Sequence, residues 1–288
     1  IVSGGAAGGL LIAAWSSFLG GVIVGYGIIF GTANGLGYAF SLQRAAEANP
    51  ERSGFAFGWV TAAYALGAAA AAALLDGLIE FAGTSRALSS LALVIISAGL
   101  TAAFLLAGSG RSSFVTQEQI GLPALRQLLG RLWTGYGLAT VAGLMTLGHA
   151  AAIVDQAGGP GNAATVLAGC ASGAGGIWIA LVANRSRING LITGLPLGSA
   201  IALGAGALID DGAVAVVAIV LISFAYGALI AAYPFAVNEI FGSERYPAIY
   251  GRVFTAWGAA GLIGPFGAGL LFDATETYRL PLLFAAAA

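Results

Sequence analysis

The sequence predicts an all-α protein that crosses a membrane about ten times, because its residues are unusually apolar and fall into long uncharged runs. Of the 288 residues, 59% are hydrophobic and 8% are charged, whereas an ordinary soluble domain has about 25% charged residues. The apolar runs are close to the ~20 residues that a helix needs to cross a bilayer. We therefore predict a polytopic helical membrane protein and exclude a soluble one.

The spans follow one another with polar or glycine- and proline-rich connections between them. Residues 1–42 are nearly unbroken apolar sequence, which we divide at Ser16-Ser17 and Gly20-Gly21, where a tight turn could reverse the chain. Asn49-Pro50 precedes the third span, and the run from Gly158 to Gly161 separates two later ones. We predict spans at 1–18, 21–42, 53–77, 88–108, 129–154, 162–183, 189–208, 214–237, 251–272 and, cut short, 281–288.

The arginines set the predicted orientation. The chain has eleven basic residues, all of them arginine, and such residues are retained on the cytoplasmic side of a membrane. If the loop at 43–52 is inside, only Arg86 and Arg279 fall on the outer side, whose connections are otherwise acidic. We predict a multi-pass protein of the cytoplasmic (inner) membrane, with loop 109–128 in the cytoplasm.

A loose internal repeat indicates two related halves. Residues 51–64 recur at 244–257, sharing the Glu-Arg pair and, further on, an aromatic residue followed by Gly. This spacing fits the homologous halves of a transporter better than a short solenoid repeat, although coincidence between two alanine- and glycine-rich segments is the alternative. Counting spans from the repeat gives an N-terminal half at 1–108 (helices three to six), a central loop at 109–128 and a C-terminal half at 129–288 (helices seven to twelve). Two helices are then missing at the start, and the last helix is truncated.

Two stretches resemble the oxalate/formate antiporter family and its monocarboxylate-transporter relatives in the major facilitator superfamily. Residues 143–155, Gly-Leu-Met-Thr-Leu-Gly-His-Ala-Ala-Ala-Ile-Val-Asp, resemble helix seven of that family. Residues 240–273, with Tyr-Gly-Arg-Val-Phe-Thr-Ala-Trp-Gly and Gly-Pro-Phe-Gly, resemble the join of helices ten and eleven. The resemblance implies a six-plus-six architecture whose halves rock around a central site. The buried Arg of helix eight in oxalate-type members has Gly176 as its nearest counterpart here, and helix eleven lacks their Lys, so dianion binding is not implied.

No charged side chain lies near the middle of a predicted span, so the candidate site consists of aromatic and amide groups. The resemblance implies that the helices carrying them line a central cavity, which suits a small organic ligand; aromatic core packing or an interfacial aromatic belt is the alternative. The single histidine could couple a proton or donate to a backbone carbonyl between packed helices. The cavity candidates are Asn34, Tyr64, Tyr136, His149, Tyr226, Tyr233 and Trp257.

Arginines near the inner ends of the helices are candidates for gating. Glu51-Arg52 and Glu244-Arg245 occupy equivalent inner-loop positions, where ion pairs could latch the two halves together. Asn184-Arg185-Ser186-Arg187 keeps the positive charge of the superfamily's inner-loop pattern. The gating candidates are Arg52, Arg185, Arg187 and Arg245.

Several function classes are excluded. There is no HExxH motif, no P-loop and no Cys/His cluster, so we expect no enzyme activity, no metal and no cofactor. Nothing suggests a nucleic-acid surface. We expect a monomeric secondary transporter, a symporter or antiporter of a small organic solute, with a monocarboxylate-type anion as first candidate and protons as a possible coupling ion. The alternatives are a neutral-solute or drug exporter of the same fold, or a non-transporting membrane sensor.

Overall fold

The computed structural model describes residues 1–105, 123–185 and 188–287, and within these ranges the ordered elements are helices. Eight stretches are long and apolar enough to cross a membrane, and Val2–Trp15 is a shorter apolar helix. The elements are α1 (Val2–Trp15), α2 (Leu19–Val22), a π-helical segment (Ile23–Phe30), α3 (Gly31–Ala48), a 3-10 turn (Pro50–Arg52), α4 (Ser53–Ala82), α5 (Thr84–Leu105), α6 (Pro123–Gln156), α7 (Gly161–Val182), a second 3-10 turn (Ala183–Arg185), α8 (Ile188–Leu208), α9 (Gly212–Phe241), α10 (Tyr246–Thr275) and α11 (Arg279–Ala287). The all-α prediction is confirmed.

The first turn lies where the two serines were predicted to reverse the chain, but the two glycines are helical. α1 ends at Trp15, and the Ser16 side chain donates a 2.9 Å hydrogen bond to the Phe18 carbonyl oxygen. Gly20 and Gly21 belong to α2, which continues through the π-helical segment into α3, so that Leu19–Ala48 is one continuous helical stretch.

Most helices are longer than their apolar runs. α4 extends to Ala82, α9 to Phe241, and α10 begins at Tyr246, several residues beyond the predicted spans. The reason is that backbone hydrogen bonding continues into the polar residues at helix ends, whereas apolar composition marks only the part inside the bilayer. The predicted loop 109–128 lies outside the described residues up to 122, and its last residues form the start of α6.

The chain divides into two compact units. The first unit comprises Ile1–Ser41 together with the chain from Ala70 through α5, and it packs around Ala7, Leu10 and Ala92. The second unit comprises Leu42–Ala69 together with α6 to α11. The helical half of α4 that precedes Ala70 therefore packs with the C-terminal helices. The predicted halves at 1–108 and 129–288 stay a prediction.

Small residues bring the first half of α4 against α7 within the second unit. A Cβ atom built at Gly176 would lie 2.8 Å from the backbone nitrogen of Ala62, and one built at Gly58 would collide with the backbone nitrogen of Ala180. Further along the pair, a Cβ built at Gly169 would lie 2.6 Å from the Ala69 side chain. The two helices run antiparallel in backbone contact, which only small residues permit.

Candidate functional site

An aromatic column on α6, α9 and α10 forms the candidate site. The ring centroids of Tyr233 and Tyr136 are 4.2 Å apart, and Tyr136 lies 6.4 Å from Phe254. Phe254 stacks on Trp257 at 5.2 Å with the two rings nearly parallel. The indole nitrogen of Trp257 donates a 2.8 Å hydrogen bond to the Tyr226 hydroxyl. Four of the predicted cavity residues are thus joined in one cluster of the second unit.

Helical periodicity places the α10 members on one face. Tyr246, Tyr250, Phe254 and Trp257 follow each other at spacings of three or four residues, which puts them one above the other along α10. Phe254 is the central contact of the column, and the sequence analysis missed it. The i, i+4, i+8, i+11 pattern of aromatic residues was the signal that could have identified it.

The two ends of the column differ in burial. Tyr136 and Tyr233 are 0% and 2% exposed and act as packed core. Tyr226 and Trp257 are half-buried, and Tyr64, on α4, is 41% exposed. Tyr64 also lies near Tyr226. We call the less buried end, with Tyr64, Tyr226 and Trp257, the accessible end, and it is the candidate contact for a solute.

A glycine makes room for the Tyr226 ring. A Cβ built at Gly143 on α6 would collide with the Tyr226 side chain, so the ring lies directly on the α6 backbone. Because Trp257 donates to the Tyr226 oxygen, the tyrosine proton points elsewhere and is available to an acceptor. The Tyr226 hydroxyl is thus a donor that an indole holds in place.

Two buried hydroxyls lie on the same helices and were missed by the sequence analysis. Gly135 and Tyr136 lie against Tyr233, and Gly143 lies against Tyr226, so α6 and α9 run antiparallel and residue 146 falls opposite residues 222 and 223. Thr146 and Ser223 are both 0% exposed, and neither side-chain oxygen has a hydrogen-bond partner among the described residues. Thr146 is one turn from Gly143, and Ser223 is one turn from Tyr226, so both hydroxyls lie near the contact between Gly143 and Tyr226.

His149 lies apart from the column, and both of its ring nitrogens are engaged. Nε2 lies 3.0 Å from the Pro265 carbonyl oxygen, which can only accept, so Nε2 carries the proton. In the neutral imidazole, Nδ1 then accepts from the Tyr278 hydroxyl at 3.0 Å. Burial, and secondly the Asp273 carboxylate, raise the pKa of Tyr278, so that hydroxyl keeps its proton. This is the geometry of a histidine donating to a backbone carbonyl between packed helices.

The other residues predicted from the sequence, Asn34 and the four gating arginines, are not part of the aromatic column. Asn34 is half-buried on α3 in the first unit. Arg52 and Arg245 are exposed, and among the described residues neither forms an ion pair. Arg187 lies outside the described residues, and the side chain of Arg185 is not described.

Neutral contacts connect the start of α4 with the end of α9, the start of α10 and the 3-10 turn that follows α7, all within the second unit. The Asn184 side chain donates to the Glu51 carbonyl oxygen at 3.3 Å, and the Asn238 side chain donates to the Ser53 hydroxyl at 3.2 Å. The rings of Phe57 and Tyr246 lie 5.2 Å apart. The start of α4 is therefore held by side-chain amides and aromatic packing.

Comparison with known proteins identifies the fold. No protein-family model matches the sequence, and no curated protein sequence matches it with significant similarity. The solved structure of the E. coli fucose:proton symporter FucP matches over 99% of this chain and 78% of the symporter chain, with a TM-score of 0.69 and 15% sequence identity. At this identity the match shows the fold alone, which is the helical fold of that symporter.

Proposed function

We propose that this chain, which has the major-facilitator fold, is a secondary active transporter that moves a small organic solute across the cytoplasmic membrane as a monomer. The observation that carries the proposal is the accessible end of the aromatic column, where Trp257 holds the Tyr226 hydroxyl at 2.8 Å and leaves its proton free. An apolar wall with a few oriented polar groups is what small-molecule sites present. The halves 1–108 and 129–288 would rock around this site.

Two solute classes fit the site. A monocarboxylate-type anion is the first candidate, because it is small, it accepts hydrogen bonds from a tyrosine hydroxyl, and the narrower sequence resemblance is to carboxylate transporters. A neutral hydroxylated solute is the second, because the polar groups at the accessible end include the Tyr64 and Tyr226 hydroxyls, which can donate hydrogen bonds to a hydroxyl and accept them from it. The similar fold of a fucose:proton symporter supports the second class and coupling to protons.

Uptake by the chain reconstituted in liposomes tests the proposal. Labelled formate, lactate, pyruvate, oxalate and fucose are supplied with and without an imposed pH gradient, with empty liposomes as the control. We expect saturable uptake of a monocarboxylate or of the sugar but not of oxalate, and stimulation by the pH gradient. If His149→Gln keeps that stimulation, the histidine has a packing role. No uptake of any of these solutes under either condition would refute transport of both classes.

Tyr226→Phe is expected to weaken solute binding about tenfold, because it removes the hydrogen bond that the Tyr226 hydroxyl would donate to the solute, which is worth about 1–1.5 kcal/mol. The control is Tyr233→Phe, which removes a hydroxyl from the buried end of the same column. The measurement is the KM for uptake together with thermal stability in detergent. A similar rise in KM for both variants would show that the Tyr226 hydroxyl has no special part in binding.

The gating candidates are arginines near the predicted inner ends of the helices. Arg52 and Arg245 flank the starts of α4 and α10, and we propose that they, with Arg185 and Arg187, pair with acidic groups during one stage of the transport cycle. Asn34, on α3, stays a candidate for hydrogen bonding to the solute.

A further inference from the structure

A cavity lies in the second unit, at the end opposite the contacts made by the start of α4. Its volume is about 390 Å³, and it opens where the end of α6, the connection from α8 to α9 and the connection from α10 to α11 meet. The arginine distribution places these connections on the outer side of the membrane. The cavity shares no lining residue with the aromatic column, so it is a separate site and does not depend on the proposed function.

The wall formed by residues 276–278 is fixed by hydrogen bonds. The Gln156 side chain donates to the Glu276 carbonyl oxygen at 2.8 Å and accepts from the Tyr278 backbone nitrogen at 2.8 Å. Tyr278 is held further by His149 and by stacking on Phe272 at 4.5 Å. Glu276 ends α10 in the left-handed conformation, with φ of 56°. The segment is thus preformed, and a ligand does not have to order it.

The opposite wall is also fixed. The Asp211 carboxylate accepts hydrogen bonds from the backbone nitrogens of Ala213 and Val214, at 2.9 and 3.0 Å, and so caps the start of α9. This cap anchors the connection that carries Asp210 into the cavity lining.

The charged side chains that line the cavity are of both signs. Asp210, Glu276 and Arg279 are exposed, and among the described residues none of them forms an ion pair. Ile153 and Leu282 are buried beneath them and give the cavity an apolar floor. Two carboxylates and one guanidinium around a space of this size complement a ligand that carries both a cation and an anion.

We propose that this cavity binds a zwitterion in which a primary ammonium and a phosphate are joined by a short linker, as in phosphoethanolamine. Arg279 binds the phosphate, because guanidinium pairs with phosphate oxygens through two parallel hydrogen bonds. Asp210 and Glu276 bind the ammonium, whose three N–H groups need acceptors. The same group is present in a phospholipid headgroup at the membrane surface and in the free compound, and the experiment separates these sources.

The test measures the melting temperature of the purified chain in detergent with added phosphatidylethanolamine, phosphatidylcholine, phosphatidylglycerol or free phosphoethanolamine. We expect phosphatidylethanolamine to raise it by about 2–4 °C more than the other two lipids. Phosphatidylcholine lacks ammonium protons, and phosphatidylglycerol lacks the cation. A rise with free phosphoethanolamine as well identifies a soluble ligand, whereas a rise with the lipid alone identifies a headgroup site.

The variants Arg279→Gln and Glu276→Gln are expected to lose this preference, and Arg86→Gln, which removes the other predicted outer-side arginine, is expected to keep it. Native mass spectrometry of the bound lipid gives a second measurement that does not depend on how stable each variant is. Equal shifts with all three lipids and no effect of phosphoethanolamine would overturn the proposal, as would an unchanged preference in both cavity variants.

Discussion

Gly58→Leu is expected to reduce net uptake tenfold or more while the protein stays folded. In the structure Gly58 faces the backbone of α7, where an added Cβ would collide with the Ala180 nitrogen and lie 2.5 Å from the Gly176 carbonyl oxygen. Both are backbone atoms, so no side-chain rotation relieves the collision. The first half of α4 must therefore move away from α7.

The size of the effect follows from the energy of that separation. Forcing extra atoms into a packed interface typically costs about 1–3 kcal/mol. If transport requires the α4 and α7 contact to form and break in each cycle, that energy shifts the balance between the two states by roughly 5- to 150-fold. A transporter held on one side of its cycle cannot complete net transport, however well it binds solute.

A cysteine probe reports the separation directly. Ala183, at the end of α7, is 1% exposed and lies against Gly54. In a Cys170→Ser background, which removes the one native cysteine, Ala183→Cys is expected to resist maleimide and to react when Gly58→Leu is added. Gly67→Leu is the matched control, since Gly67 lies on the same helix with nothing within 4 Å of its Cβ position. Unchanged labelling together with wild-type uptake in Gly58→Leu would show that this contact is not a gate.

The sequence predicts reliably those features that depend on a single helix, such as its position along the chain. The apolar runs identified all eight described helical stretches that are long and apolar enough to cross a membrane, because burial in a bilayer demands about 20 apolar residues regardless of what the helix packs against. The helix ends were less predictable, since Glu80 and Glu239 continue α4 and α9 beyond their apolar runs. Apolar composition marks the part of a helix that lies inside the bilayer, whereas the helix ends are set by backbone hydrogen bonds and caps.

The candidate site was predictable in its members but not in its arrangement. Tyr136, Tyr226, Tyr233 and Trp257 were each identified as polar aromatics within apolar helices, and the structure joins them. Phe254 joins them by contacting both Tyr136 and Trp257. It has no polar group, so its chemistry alone did not single it out as a site residue. Which residues face each other depends on the register between helices far apart in the chain, and a single sequence carries little information about it.

The contacts of Thr146, Ser223 and His149 also depend on the register between helices, which a single sequence does not give. Thr146 and Ser223 become candidate site residues only once the packing of α6 against α9 is known. From the sequence alone they look ordinary, because serine and threonine within a helix commonly donate a hydrogen bond to a carbonyl of the preceding turn. His149 was weighed between proton coupling and packing from the sequence, and its partners, Pro265 and Tyr278, lie more than a hundred residues further along the chain. Its hydrogen bonds could be found only from the structure.

Gly227→Ala is expected to lower the melting temperature more than any other single methyl group added to α9. The position lies where α7 and α9 are closest, and a Cβ built at Gly227 would collide with the Ser172 carbonyl oxygen. On the facing helix a Cβ built at Gly175 would collide with the Phe224 carbonyl oxygen and lie 2.8 Å from the Ala228 nitrogen. Each helix thus uses a glycine to admit the backbone of the other, as small residues do between membrane helices.

The expected cost for Gly227→Ala is at the upper end of overpacking, about 3 kcal/mol, which corresponds to a fall in melting temperature of about 6–12 °C. Gly258→Ala is the matched control, because Gly258 is helical and has nothing within 4 Å of its Cβ position. There the methyl group meets no neighbour, and alanine favours the helix by up to about 1 kcal/mol. The two variants add the same atom to two helices, so a difference in melting temperature measures the α7 and α9 contact itself. Equal melting temperatures would mean that α7 and α9 can separate at Gly227 without a loss of stability. The close backbone approach would then not be what stabilises the second unit.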